Sequence, residues 1–170
     1  RLGRNKAIGT IASLLLFRYS FVACFLIASP TDFNSSAFVL RAADHDARKI
    51  EAAKVASARA LDARVKSFAA RMVTDHGRTT AELVEFSTAR AIPVRSDPGV
   101  AQLVANTFAG VEGPRFDIAY AVQVVKEHEA TIALFDEESR SGKDDELKAW
   151  ATKTLPMLRD AKTPMPFRDR

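Results

Sequence analysis

Two histidines carry most of the chemistry open to this sequence. His76 closes the run Phe68-Ala69-Ala70-Arg71-Met72-Val73-Thr74-Asp75-His76. Val65, Phe68, Ala69, Met72, Val73 and His76 recur at the spacing of one helical face, the face a globular protein buries. His128 lies on a second such stripe, with Ala121, Val124, Val125, Ile132 and Phe135. An acid precedes each histidine, Asp75 and Glu127. Inward histidines on two helices are how a bundle builds a metal site in its core, with carboxylates from neighbouring helices completing the ligand set. Asp46, on the apolar face of the first helix, and Glu51, beside Ile50, are the carboxylate candidates, with Asp160 a further one. Iron or zinc would be the ion. The competing reading is a buried, hydrogen-bonded histidine pair with no cofactor, partnered by Asp75, Tyr120 or a backbone carbonyl.

Neighbouring polar residues have simpler readings. Asp75 and Glu127 each point about 100° around the helix from the histidine that follows, which makes them rim residues or partners of another helix. Asp117 opens a helix and favours its dipole. His45 lies off the stripe and is expected to be exposed. Asp136-Glu137-Glu138 reads as a solvated face. Val73 and Val125 stand three residues before the histidines, so the Glu-x-x-His pair of di-iron proteins is missing. That argues against an oxidase or ferroxidase. The sequence has no Gly-rich phosphate loop, no Gly-x-Ser-x-Gly elbow and no His-Glu-x-x-His.

Helices must position these residues. Only 7 Gly and 7 Pro occur in 170 residues, and the hydrophobic fraction is 47%, which favours helix and a sizeable core. Ser35 or Ser36 is expected to cap a first helix over 38–60, with Val39, Ala42, Ala43, Asp46, Ile50, Ala53 and Ser57 on one face. Asp62 caps a second helix that runs to about Ala91 and stops before Pro93. Asp97-Pro98 opens a short helix ending near Gly110. Gly113-Pro114 opens a long helix that ends near Gly142. The last helix spans about Asp144 to Ala161, with Leu147, Trp150, Ala151, Thr154, Leu158 and Ala161 inward and a kink expected at Pro156. The fold class is all-α, an antiparallel four-helix bundle with a short extra helix in the middle crossover.

Residues 1–30 read as an export signal or a membrane anchor. Arg1, Arg4 and Lys6 precede an apolar run from Ala7 to Phe17, which Arg18-Tyr19-Ser20 interrupts and Phe21 to Ala28 resumes. A retained anchor would need about 20 apolar residues. Arg18 near its middle would cost roughly 2.5–3.5 kcal/mol, so cleavage, for example after Ser29, is the preferred reading. Phe21-Val22-Ala23-Cys24 loosely resembles a lipoprotein box, but the apolar residues after Cys24 argue against it. Residues 31–37 form a linker, 38–162 the bundle and 163–170 a disordered tail. The chain holds 25 basic and 21 acidic residues, and four of the basic ones with no acid lie in 1–30. The remainder balances at 21 each, so charge supports no nucleic-acid partner. Membrane contact would come only through an uncleaved leader. Cys24 is the sole cysteine, so the bundle has no disulfide and no thiolate site.

One known family combines these pieces. The matching segments are Phe38-Val39 with Ala42, then Ile50-Glu51, Val65-Lys66-Ser67-Phe68-Ala69 and Met72-Val73-Thr74-Asp75-His76. Further along come Phe116-Asp117-Ile118-Ala119-Tyr120, His128 with Leu134-Phe135, Ser141-Gly142-Lys143-Asp144, and Ala151-Thr152-Lys153-Thr154-Leu155-Pro156-Met157-Leu158. Over 38–160 the chain resembles the exported bacterial family catalogued as domain of unknown function 4142, of the ferritin-like four-helix group. The resemblance implies a ferritin-like bundle in the periplasm or cell envelope and no particular reaction. Two departures stand out. Where the family usually has a glutamate before Ile-Glu, this chain has Lys49. Where it usually has a histidine three residues after the leucine that follows Leu-Pro, this chain has Ala161. The expected function is structural, binding or stress-related, with a degenerate metal site and no cofactor. The alternative is a metal-binding or redox protein that uses His76 and His128 with nearby carboxylates. Mass spectrometry of the protein from its host is expected to show loss of about the first 30 residues. An intact leader in a cytosolic fraction would refute export.

Overall fold

The computed structural model describes residues 33–161. The leader expected over 1–30 and the tail expected over 163–170 lie outside the described residues. Five helices follow in order: α1 Phe33–Arg59, α2 Ala63–Ala89, α3 Gly99–Thr107, α4 Pro114–Ser141 and α5 Asp145–Ala161. No strand occurs among the described residues, and none of their helices is long and apolar enough to cross a membrane.

The helix boundaries follow local chemistry. Asp62 is extended and accepts the Arg64 N–H at 2.8 Å, capping α2. Gly113, at φ 60°, turns the chain into Pro114 at the start of α4, a backbone conformation that favours glycine. Gly142 ends α4 for a different reason: a Cβ there would come within 2.5 Å of the Glu138 carbonyl oxygen. Asp97 accepts the Gly99 N–H at 2.7 Å and so secures the start of α3. Other expectations are corrected. α1 begins at Phe33, inside the expected linker, so Ser35 and Ser36 lie within its first turn instead of capping it. α5 runs through the exposed Pro156 to Ala161, the extent expected for the last helix. The buried face of α1 carries Lys49 instead of Ile50. Ile50 is half-buried and lines an outer groove between α1 and the 94–101 segment.

The core has two apolar ends. One gathers Ala52, Ala53, Ala56 and Ala60 of α1 with Phe68, Met72, Phe116, Tyr120 and Ala161. The other gathers Phe38, Val39, Leu83, Phe135, Leu147 and Trp150. Each long helix passes through both ends, and the order gives its direction. α1 and α5 run from the Trp150 end to the Tyr120 end, whereas α2 and α4 run the opposite way. The segment between the parallel α2 and α4 therefore travels the length of the bundle. Ile92 packs at the Trp150 end, and Val100, Val104 and Phe108 pack at the Tyr120 end.

Side chains fasten the connections. The Arg90 guanidinium donates to both Asp144 oxygens, at 2.6 and 2.8 Å, tying the end of α2 to the α4–α5 turn. Such bidentate pairing fixes geometry as well as charge. Asp117 is buried, and its two oxygens accept the Leu61 and Asp62 N–H groups at 3.0 and 2.8 Å. Its role thus extends beyond the helix dipole to the α1–α2 turn. Asp117→Ala strands two donors and is expected to lower stability by about 2–3 kcal/mol in urea unfolding. A loss below about 0.5 kcal/mol would show the turn to be held otherwise.

Candidate functional site

Between the two apolar ends lies a polar layer. Three helices each contribute a pair of side chains three residues apart: Asp46 and Lys49 on α1, His76 and Thr79 on α2, His128 and Thr131 on α4. All six are buried, and His76 is 0% and Asp46 2% exposed. The spacing places both members of a pair on one helix face, and the parallel course of α2 and α4 brings their rungs level.

His76 and His128 meet in this layer. Their Nε2 atoms are 3.4 Å apart, with the rings edge-on at 5.4 Å between centroids. Nδ1 of His128 lies 2.8 Å from the Val124 carbonyl. A carbonyl only accepts, so this nitrogen donates. Nδ1 of His76 lies 2.8 Å from Asp46 Oδ1 and likewise donates to the carboxylate. The second carboxylate oxygen accepts the Thr79 hydroxyl at 2.6 Å. The two Nε2 atoms lie within hydrogen-bond reach of each other, so each ring is partnered through both of its nitrogens inside the layer.

The adjacent rung holds a fixed cation. Lys49 is 5% exposed. Its ammonium donates to Thr131 Oγ1 at 2.5 Å and to the His45 carbonyl at 3.3 Å. Thr131 passes its own proton to the Glu127 carbonyl at 2.8 Å and also receives His45 Nδ1 at 3.0 Å. His45 is therefore a half-buried partner of the layer, not an exposed residue. Burial draws the Lys49 pKa down from 10.5 to about 8, against the opposing pull of Asp46 and Glu127. Burial, then Lys49 and His76, push His128 down from 6.5 to about 3. Burial also raises the Tyr120 hydroxyl above its usual range.

The other expected ligands lie elsewhere. Glu51 pairs with Lys54 at 2.7 Å, Asp160 faces Arg71 at 3.7 Å, and Asp75 faces the same arginine at 3.6 Å. Glu127 accepts the Gln123 amide at 2.7 Å. Ala161 is buried in the apolar cluster that contains Met72. Among the described residues no group of three or more His, Cys, Asp or Glu is placed to hold a metal ion. The histidine pair alone has ligand geometry: two nitrogens about 2.0–2.1 Å from a tetrahedral zinc stand roughly 3.3–3.4 Å apart. Asp46 orients His76 from behind, as carboxylates behind metal-bound histidines do, instead of offering itself to an ion. A four-ligand zinc site or a carboxylate-bridged iron site does not fit these residues.

The segments that build this layer and its flanks decide the family. The chain belongs to the family described as Domain of unknown function (DUF4142). The match covers residues 27–163. Membership in DUF4142 spans every element that supplies the polar layer. No curated protein and no solved structure is significantly similar to the chain.

Lys49 generates a pH prediction. Between pH 8 and 10.5 the unfolded chain keeps the Lys49 proton that the folded chain releases, so folding stability rises with pH through that window. Below pH 8 both states are charged and the full burial cost remains. Lys49→Met is expected to raise the melting temperature at pH 7, and its advantage should shrink toward pH 10. A constant difference across that range would refute the buried ammonium. The His128 shift acts in the acid range: stability falls as pH drops from 6.5 toward 3, because the unfolded chain takes up a proton that the folded one resists.

Proposed function

We propose that this protein is an exported, ferritin-like four-helix bundle with a structural or binding role in the cell envelope, and that a tethered lysine stands where related bundles hold metal. The directions of the helices support the ferritin-like reading: one long crossover joins two parallel helices between two antiparallel pairs. The basic, apolar leader supports export. The buried Lys49 ammonium carries the functional reading. It lies at the position where the family resemblance calls for a carboxylate, beside the only two histidines of the layer's core. A resident positive charge opposes an added divalent ion in a dry site, and Ala161 offers no ligand in place of a histidine. The remaining groups are satisfied by one another, which suits a fixed core more than a reaction centre.

Protein purified without chelator is expected to hold no stoichiometric iron or zinc, and calorimetry should detect no tight zinc binding. The double variant Lys49→Glu, Ala161→His restores two ligands and is expected to gain zinc affinity by more than about 100-fold. Stoichiometric zinc or iron in the parent, or equal binding by parent and double variant, would overturn this reading.

A further inference from the structure

A surface hollow of about 260 Å³ opens between α1, α3 and α4. We propose that it binds a small organic monoanion, a carboxylate carried on a compact apolar body. The hollow lies outside the polar layer, so the inference goes beyond the metal reading above and does not depend on it. Its apolar lining comes from Ala52, Val104 and Phe108, all buried, and from Leu103, which is 48% exposed. A leucine with nearly half of its surface in water, beside a hollow, is apolar area that a ligand can cover.

The charged lining is unbalanced. Arg48 and Lys126 bring two positive charges, and Glu127 brings one negative. Lys126 is exposed and forms no ion pair among the described residues. Arg48 gives Nη2 to Asp44 at 2.9 Å, while its Nε is shielded from water and has no hydrogen-bond partner. Asp44 lines the outer groove beside the 94–101 segment instead of this hollow. A guanidinium is a planar fork that matches a carboxylate, and a buried donor left unmet is a cost that an incoming acceptor removes. The Arg48 side chain is 39% exposed, which leaves it room to turn Nε toward a ligand. Glu127 already accepts the Gln123 amide at 2.7 Å and is attracted by the Lys49 ammonium. The charge left over is one positive, which selects a monoanion. Size narrows the class further. At about 30 Å³ per water, the hollow equals roughly nine waters. That suits one ring or a chain of roughly five or six carbons, not a long acyl chain. Such a ligand would touch three helices at once and would fasten α3, whose own buried residues are Val100 and Val104.

The test titrates the full chain at pH 7 with sodium benzoate and, separately, with sodium hexanoate, followed by NMR of the arginine Nε–H groups and of the methyl groups. The expected result is saturable binding of a single anion with a Kd of about 0.1–1 mM. Binding should displace the Arg48 Nε signal together with the Leu103 and Val104 methyl signals. Benzamide has the shape of benzoate without its charge and should bind more than about tenfold more weakly. Lys126→Gln, at an exposed position, should weaken benzoate by about fivefold or more. Sodium phosphate, an anion with no apolar body, should leave the Leu103 methyl signals in place. No saturable binding of either acid, binding that leaves the Arg48 and Leu103 signals unmoved, or equal affinity for benzamide would overturn the proposal. So would equal affinity in Lys126→Gln, or displacement of benzoate by phosphate at the same concentration. The zinc titration above reads the polar layer alone, so a failure here leaves that reading standing, and a failure there leaves this one.

Discussion

The bundle is organised around the need to satisfy six polar side chains buried between two apolar ends. An unpaired polar group in such a place costs several kcal/mol in a non-polar reference medium, and an unpaired charge costs more. Here each group has a partner on another helix. Asp46 of α1 holds His76 and Thr79 of α2, His76 reaches His128 of α4, and Lys49 of α1 reaches Thr131 of α4. A slip of one residue in any of the three helices would rotate a rung by about 100° and strand its groups. The layer therefore sets the register of α1, α2 and α4 more sharply than apolar packing alone, because apolar contacts lose energy gradually when they slide.

The apolar ends differ in texture, and the difference fits their place. At the Trp150 end Phe38, Phe86, Phe135 and Trp150 pack tilted or edge-on at centroid distances of 5.1 to 6.1 Å. The indole N–H of Trp150 reaches Glu82 at 2.5 Å, so the large ring is buried without stranding its donor. At the other end α1 presents alanines, which make room for Phe68, Phe108, Phe116 and Tyr120 and for α3 lying across α1. Large rings on α2 and α4 and just after α3, against small residues on α1, fill the space by interdigitation. Ala161 on α5 joins the same alanine-lined space.

Much of this was legible in the residue pattern, because 3.6-residue periodicity and capping chemistry act locally. Val65 to His76 and Ala121 to Phe135 marked the faces that carry the histidines, and Asp62, Gly113-Pro114 and Gly142 marked helix ends within a residue or two. The polar partners were harder to read. Thr79 and Thr131 look like ordinary helix-surface residues until a neighbouring helix covers them. Lys49 contradicts the rule that lysine stays in water, and Ile50 beside it looked like the natural core residue. One signal was available: Asp46 and Lys49 sit three apart, matching the His76–Thr79 and His128–Thr131 spacing. Asp117 was legible as a helix-start acid. Its hold on Leu61 and Asp62 was not, because that depends on a turn more than fifty positions away in sequence.

On the proposed reading, the exchange of a metal ion for Lys49 changes what the core depends on. A bundle built around a metal ties its folding to ligand deprotonation and to ion supply. A lysine on α1 delivers the positive charge from within the chain, at fixed stoichiometry. The cost is desolvation, visible in the ammonium's fall toward pH 8, together with the rotamer freedom of a long side chain. Thr131 and the His45 carbonyl lower that cost by receiving two of its protons. The histidine pair closes the rest of the network: His76 is held by Asp46, His128 by the Val124 carbonyl, and the two rings meet through their Nε2 atoms. Charge, hydroxyls and imidazoles are thus spent on one another across three helices, so the layer acts as an internal lock on their register.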